Sequence, residues 1–153
     1  MDLASLLDPK VVKVPVESVT SDEVIAELVE LLVRAGKLKD RDAAMDALYE
    51  REGKGTTGIG GNVAVPHARH AELKDNVLAV GIAREGIDFD AIDEEPVRVV
   101  FLVLGAADKP GQTIETLADI GTISQMTDVR DRLINARDAA EVIQIIRQAQ
   151  LSQ

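Results

Sequence analysis

The chain has 153 residues, a length for one compact domain, and 46% of them are hydrophobic, enough for a substantial core. Its only aromatics are Phe89, Phe101 and Tyr49, so it lacks the stacking platforms on which bases or sugar rings rest. A net charge of −10 argues against a direct nucleic-acid or anionic-membrane binder, and the lack of cysteine removes disulfides, thiolate chemistry and Cys-based metal sites.

Met1 leads into Asp2 with neither a basic start nor a long apolar stretch. No signal peptide, no direct membrane insertion and a cytoplasmic location are therefore expected. Val11 to Val16 is β-branched and interrupted by Pro15, which predicts a short edge strand. Ser21 is a candidate N-cap, with Asp22 and Glu23 in a first turn that favours acids. Val24, Leu28, Leu31, Leu32 and Ala35 follow at helical spacing, and Gly36 ends that helix. Asp40 or Arg41 opens a second helix that turns Ala44, Ala47 and Leu48 inward and runs to about Glu52.

Gly53 to Gly61 holds five glycines in nine residues, a loop too short to link two domains. Val63 to Val65 predicts a brief strand stopped by Pro66. Val77 to Ala83 and Val97 to Leu104 are apolar runs of strand length, the second suited to a central strand covered on both faces. Asp88 to Glu95 is an acidic turn between them, and Gly105 to Gly111 is a loop. A helix from about Gln112 carries Ile114, Leu117, Ile120 and Ile123, and a shorter one spans Val129 to Ile134. The last, Ala139 to Gln150, puts Val142, Ile143, Ile146 and Ala149 on one face. Strands and helices mix without strict alternation, which predicts an α/β single domain over 1–153, a mixed β-sheet flanked by helices.

Only two histidines occur, His67 and His70. His67 follows a glycine-rich loop, a short strand and Pro66, whose ring fixes its own φ and restricts Val65. Small Ala68 leaves room beside the imidazole. Gly58 and Gly60 allow backbone N–H groups to approach an oxyanion closely, Thr57 offers a hydroxyl, and Arg51 and Arg69 offer bidentate partners for phosphate. Imidazole is nucleophilic and largely neutral near pH 7, so the pattern suits a phosphoryl acceptor. A structural histidine beside a demanding turn fits the same residues. The loop is neither a P-loop, having no Gly-Lys-Ser/Thr, nor a dinucleotide fingerprint, because Pro66 stands where a helix should open. A metal site from His67, His70 and Glu72, as in a metal-dependent hydrolase, would need both imidazoles on one helix face. Pro66 instead sets His67 at a strand end and leaves His70 as a surface residue.

Arg51-Glu52, Thr57-Gly58-Ile59-Gly60 and Val63-Ala64-Val65-Pro66-His67-Ala68 together resemble the phosphorylation motif of IIA domains of the bacterial phosphotransferase system, fructose/mannitol branch. That branch includes free-standing nitrogen-regulatory IIA proteins. The resemblance runs over nearly the whole chain, to Ile114-Glu115-Thr116-Leu117-Ala118. It implies a phosphotransferase component of sugar transport or nitrogen regulation, with the phosphotransferase/anion-transport-protein-like fold and no metal or organic cofactor. It implies that His67 accepts a phosphoryl group from the histidine phosphocarrier protein, with Arg51 beside it. A IIB domain or a regulatory target protein would be the onward partner.

One position departs from the family. Thr113 stands where the family usually has a second histidine, just before the Leu-x-x-Leu-Ala stretch. A threonine hydroxyl can donate to a phosphoryl oxygen but supplies no positive charge, which leaves Arg69 to provide it. The same departure fits a regulatory protein-binding module of this fold with slow or no transfer.

Overall fold

The computed structural model describes residues 2–152. Helical turns at Leu3–Leu6 and Pro9–Val11 lead into strand β1, Val12–Lys13. The expected strand over Val11 to Val16 is thus much shorter. The Asp8 side chain accepts from the Lys10 N–H and winds Val11 into the preceding turn. Pairing resumes only at Val16, whose N–H donates to the Ile82 carbonyl. β1 does lie at the sheet edge.

Helix α1 spans Ser21–Arg34 and α2 spans Arg41–Gly53. Thr20, not Ser21, caps α1: its Oγ1 accepts from the Glu23 N–H and donates to the Glu23 carboxylate at 2.9 Å. That reciprocal arrangement outcompetes a cap one residue later. Asp40 caps α2 through the Ala43 N–H.

The glycine loop is not free of regular structure. Gly58–Gly60 forms β2, antiparallel to β3 at Val63–Ala64. Gly58 pairs in register with Ala64, and a Cβ on it would stand 2.8 Å from the Ala91 Cβ. Only glycine lets the 88–96 loop lie that close.

Pro66 interrupts the chain without ending the strand direction. β4, His67–His70, resumes beyond it. Val63 faces Val99 and His67 faces Val103, so both pieces keep one register along the same edge of β6. Pro66 lacks an N–H but its carbonyl still accepts from Val103 at 2.9 Å. His67 therefore begins a strand rather than closing one.

β5 spans Val77–Ile87 and β6 spans Val97–Ala106, each longer than the apolar runs suggested. The sheet order is β1-β5-β6-β3-β2, with β4 also on β6. β5 and β6 are antiparallel, while β1 on β5 and β3 and β4 on β6 are parallel, giving a mixed sheet. β6 is the central strand, buried at every position except Arg98.

Helices α3 (Pro110–Ser124), α4 (Thr127–Ile134) and α5 (Ala139–Leu151) complete the fold. Leu28 of α1 packs over Gly81, which pairs with Val100, while Thr113 of α3 packs over Gly105. Val100 and Gly105 differ in parity along β6, so α1 and α3 cover opposite faces. No helix among the described residues is long and apolar enough to cross a membrane.

α3 starts at Pro110, two residues before the expected Gln112. Proline is well placed at a helix start. The inward face consists of Thr113, Thr116, Ile120 and Ile123, whereas Ile114 is 68% exposed.

Candidate functional site

His67 and Arg69 are two residues apart on β4 and so project on one face. They share it with Val103 and Gly105, their register partners on β6. Gly105 has no side chain, and a Cβ there would run into the Thr113 hydroxyl. Thr113 can therefore settle directly on the strand. The last turn of α2 brings Arg51 to the same place. The result is an open cleft of about 630 Å³ between α2 and α3, lined by His67, Arg51, Arg69, Lys54, Glu50 and Thr113 among others. A smaller recess of about 190 Å³ adjoins it beyond Arg51 and His67, with Thr57, Ile59, Val65 and Leu117 on its walls.

The orientation of His67 is defined by its own backbone. Nδ1 lies 2.8 Å from the Val65 carbonyl oxygen. A carbonyl only accepts, so Nδ1 carries the hydrogen and Nε2 keeps a lone pair. Among the described residues nothing hydrogen-bonds to Nε2.

Charge around the ring is cationic. Arg51 is half-buried and donates from Nη1 to the Gly55 carbonyl at 2.9 Å, which steadies the guanidinium while leaving its other donors free. Arg69 is exposed, and no hydrogen bond or ion pair takes up its guanidinium among the described residues. Lys54 stands 3.9 Å from Glu50, a loose exposed pair that offsets little of this charge.

The hydroxyls expected to help are otherwise engaged. Thr57 is buried and donates to Glu52 Oε1 at 2.8 Å. Thr113 donates to Asn76 Oδ1 at 3.3 Å. Each has one hydrogen and has spent it. Gly58 and Gly60 line neither cavity. The Gly58 N–H donates to Thr56 Oγ1 at 2.9 Å. The Gly60 region is held by Asp93, which accepts from the Gly61 N–H at 3.0 Å. That bond and one from the Glu95 N–H hold the Asp93 carboxyl below the usual range.

His70 is buried at 6% exposure, not a surface residue. Its spacing of three from His67 turns it to the opposite face of the strand, toward α2. There Nδ1 accepts from the Glu72 N–H and Nε2 donates to the Asp40 carbonyl, each at 3.2 Å. His70 Nε2 also lies 3.5 Å from Glu72 Oε1, but His67 is on the opposite face, so the three do not converge, and the described residues contain no cluster of three or more metal-ligating side chains.

Sequence reasoning missed Asn76. It is 3% exposed and, bonded to Thr113, ties the start of β5 to β6 and α3. Its Nδ2 donates to Thr116 Oγ1 at 2.9 Å, and its Oδ1 accepts from the Ala106 N–H as well as from Thr113. An asparagine ahead of an apolar run reads as a turn residue, so no local signal marked it.

A mixed sheet flanked by helices, with a histidine opening a parallel strand, defines an α/β fold whose cleft is lined by that histidine, two arginines and a lysine. Residues 5–149 match the family of the phosphoenolpyruvate-dependent sugar phosphotransferase system, EIIA 2, and the chain belongs to that family. It is 32% identical over 148 residues to the fructose-specific EIIABC component of Bacillus subtilis, covering 97% of this chain but 23% of that longer protein. It is also 32% identical over 145 residues to the fructose-specific EIIA component of Haloferax volcanii, covering 95% of this chain and 94% of that one. Among solved structures, the nitrogen regulatory protein IIA-Ntr from Neisseria meningitidis superposes with a TM-score of 0.86 at 29% identity, over 94% of this chain and 97% of that one.

Proposed function

We propose that the protein carries a phosphoryl group on Nε2 of His67. It takes that group from a histidine phosphocarrier protein and passes it to a IIB domain, or keeps it as a signal for a regulatory target protein. The observation that carries this reading is the unengaged Nε2 lone pair, facing a cleft lined by two guanidinium groups. Transfer between two nucleophiles is mostly positioning and charge neutralisation, with little covalent work for the protein. The Val65 carbonyl holds the ring, Arg51 meets the phosphoryl oxygens, and Arg69 supplies the charge that Thr113 cannot. Thr57 and Thr113 shape the walls. Membership of the EIIA family and likeness to both fructose and nitrogen-regulatory relatives support the carrier role.

A second reading, a regulatory binding module with slow or no transfer, is favoured by one observation. The Thr113 hydroxyl is bonded to Asn76 instead of standing free for a phosphoryl oxygen. Incubation with phosphorylated carrier protein, followed by mass mapping at neutral or basic pH, separates the two. An acid-labile phosphoryl group on His67 supports the carrier. Stable binding of the partner with no phosphoryl gain supports the module.

A further inference from the structure

The cleft holds a second guanidinium besides that of Arg51, and it stands away from the His67 ring. Arg51, in the last turn of α2, lines the cleft together with His67. Arg69 stands on the same strand face as His67, about 6.6 Å further along by strand rise. Its guanidinium is unpaired among the described residues, in a chain with 27 acids against 17 bases. The space before it is open, because Thr113 sits down on Gly105 with its hydroxyl turned to Asn76. A cleft of about 630 Å³ is several times larger than a phosphoryl group. A site of this shape suits a short ligand with a phosphoryl group at one end and a second oxygen acceptor at the other.

We infer that the cleft also accepts a phosphoryl group directly from a small acyl phosphate, Arg51 holding the phosphoryl end and Arg69 the acyl end. This rests on the reading of His67 as the phosphoryl carrier. A donor phosphohistidine leaves as imidazole, which has no oxygen for Arg69 to hold. An acyl phosphate leaves as a carboxylate, the group a planar guanidinium binds through two parallel hydrogen bonds. A simple phosphate ester does not serve, because an alkoxide is too poor a leaving group to charge an imidazole.

The step balances without a further reactant. The Nε2 lone pair forms the N–P bond as the P–O bond to the acyl group breaks. The bonding pair departs on the carboxylate oxygen facing Arg69. Nδ1 keeps its hydrogen on the Val65 carbonyl, so no proton needs to move.

The test uses the full chain in two arms, one with acetyl phosphate alone and one with phosphorylated carrier protein alone. The expected result is acid-labile phosphorylation of His67 in both arms and in neither for His67→Ala. Arg69→Ala should slow the acetyl phosphate arm by about tenfold or more, the weight of one charge-assisted hydrogen bond, and slow the carrier arm less. Labelling by carrier protein but not by acetyl phosphate would overturn this inference and leave the carrier reading intact. Labelling by acetyl phosphate alone would support it and count against the carrier protein as donor. No labelling in either arm would overturn both. Equal slowing of the two arms in Arg69→Ala would remove the acyl-end role of Arg69.

Discussion

Thr113 gives its hydroxyl hydrogen to Asn76, Oγ1 to Oδ1 at 3.3 Å, on the wall of the cleft that faces His67. Thr113→Ala should therefore leave phosphoryl transfer nearly unchanged, while the thermal midpoint falls as Asn76 loses a partner. Thr113→His should accelerate transfer by about tenfold, since an imidazolium beside a phosphoryl group makes a charge-assisted bond that a neutral hydroxyl cannot. Transfer rates and melting curves of the three proteins decide this. A large rate loss in Thr113→Ala would show that the hydroxyl serves the phosphoryl group after all.

Arg51→Ala should slow transfer by about a hundred- to a thousandfold, as removal of one preorganised donor to a developing anion does elsewhere. Arg51→Lys should recover only part of this, because an ammonium cannot bridge two oxygens. The fold should survive, since among the described residues the guanidinium is anchored by the Gly55 carbonyl in an exposed turn. Single-turnover rates with phosphorylated carrier protein, alongside circular dichroism, provide the check.

His70→Ala should behave oppositely to His67→Ala. It should still take up phosphate, yet lose about 1–3 kcal/mol of stability, because the Glu72 N–H and the Asp40 carbonyl both lose their buried partner. Urea melts paired with phosphorylation assays measure both sides.

The link between the β4–β5 turn and the start of α3 is electrostatic and should depend on pH. Asp75 accepts from Lys109 Nζ at 2.8 Å and from Gln112 Nε2 at 3.3 Å. The Lys109 hydrogen bond, then that from Gln112, holds the Asp75 carboxyl below its usual range, and Asp75 in turn raises Lys109. A lowered carboxyl contributes stability that is complete above the unfolded value of about 3.9 and fades as pH falls through the folded one. A raised lysine contributes below its unfolded value of about 10.4 and fades as pH rises through the folded one. The stability gap between wild type and Asp75→Asn should thus hold between these limits, close at both ends, and narrow in high salt. A gap that persists in acid would rule out this pair as its source.

Much of the fold was legible because its signals are local. The apolar runs at Val77 to Ala83 and Val97 to Leu104 mark the two long strands, and Asp40 caps α2 where expected. Other features depended on contacts between distant residues. Pro66 looked like a strand stop because its missing N–H is visible in sequence, whereas the common register of Val63–Ala64 and His67–His70 on β6 is not. Ile114 fitted the helical period, but packing of Thr113 onto Gly105 turns a polar face inward, where Thr113 and Thr116 meet Asn76. His70 was misplaced for the same reason, since its burial depends on Asp40, thirty residues away. At the site, His67, Arg51, Arg69 and Thr113 meet at one cleft, but Gly58 and Gly60 serve loop packing instead. Glycine patterns in sequence do not distinguish close approach to a ligand from close approach to a neighbouring loop.

In the proposed carrier, Nε2 of His67 takes the phosphoryl group while Nδ1 stays on the Val65 carbonyl. The most direct measurement is phosphorus and imidazole-nitrogen NMR of the intact protein, kept at basic pH after charging by phosphorylated carrier protein. The expected result is one acid-labile phosphoryl group, coupled to Nε2 of His67 and absent from His67→Ala. A phosphoryl group on Nδ1, on His70, or surviving in His67→Ala would contradict it.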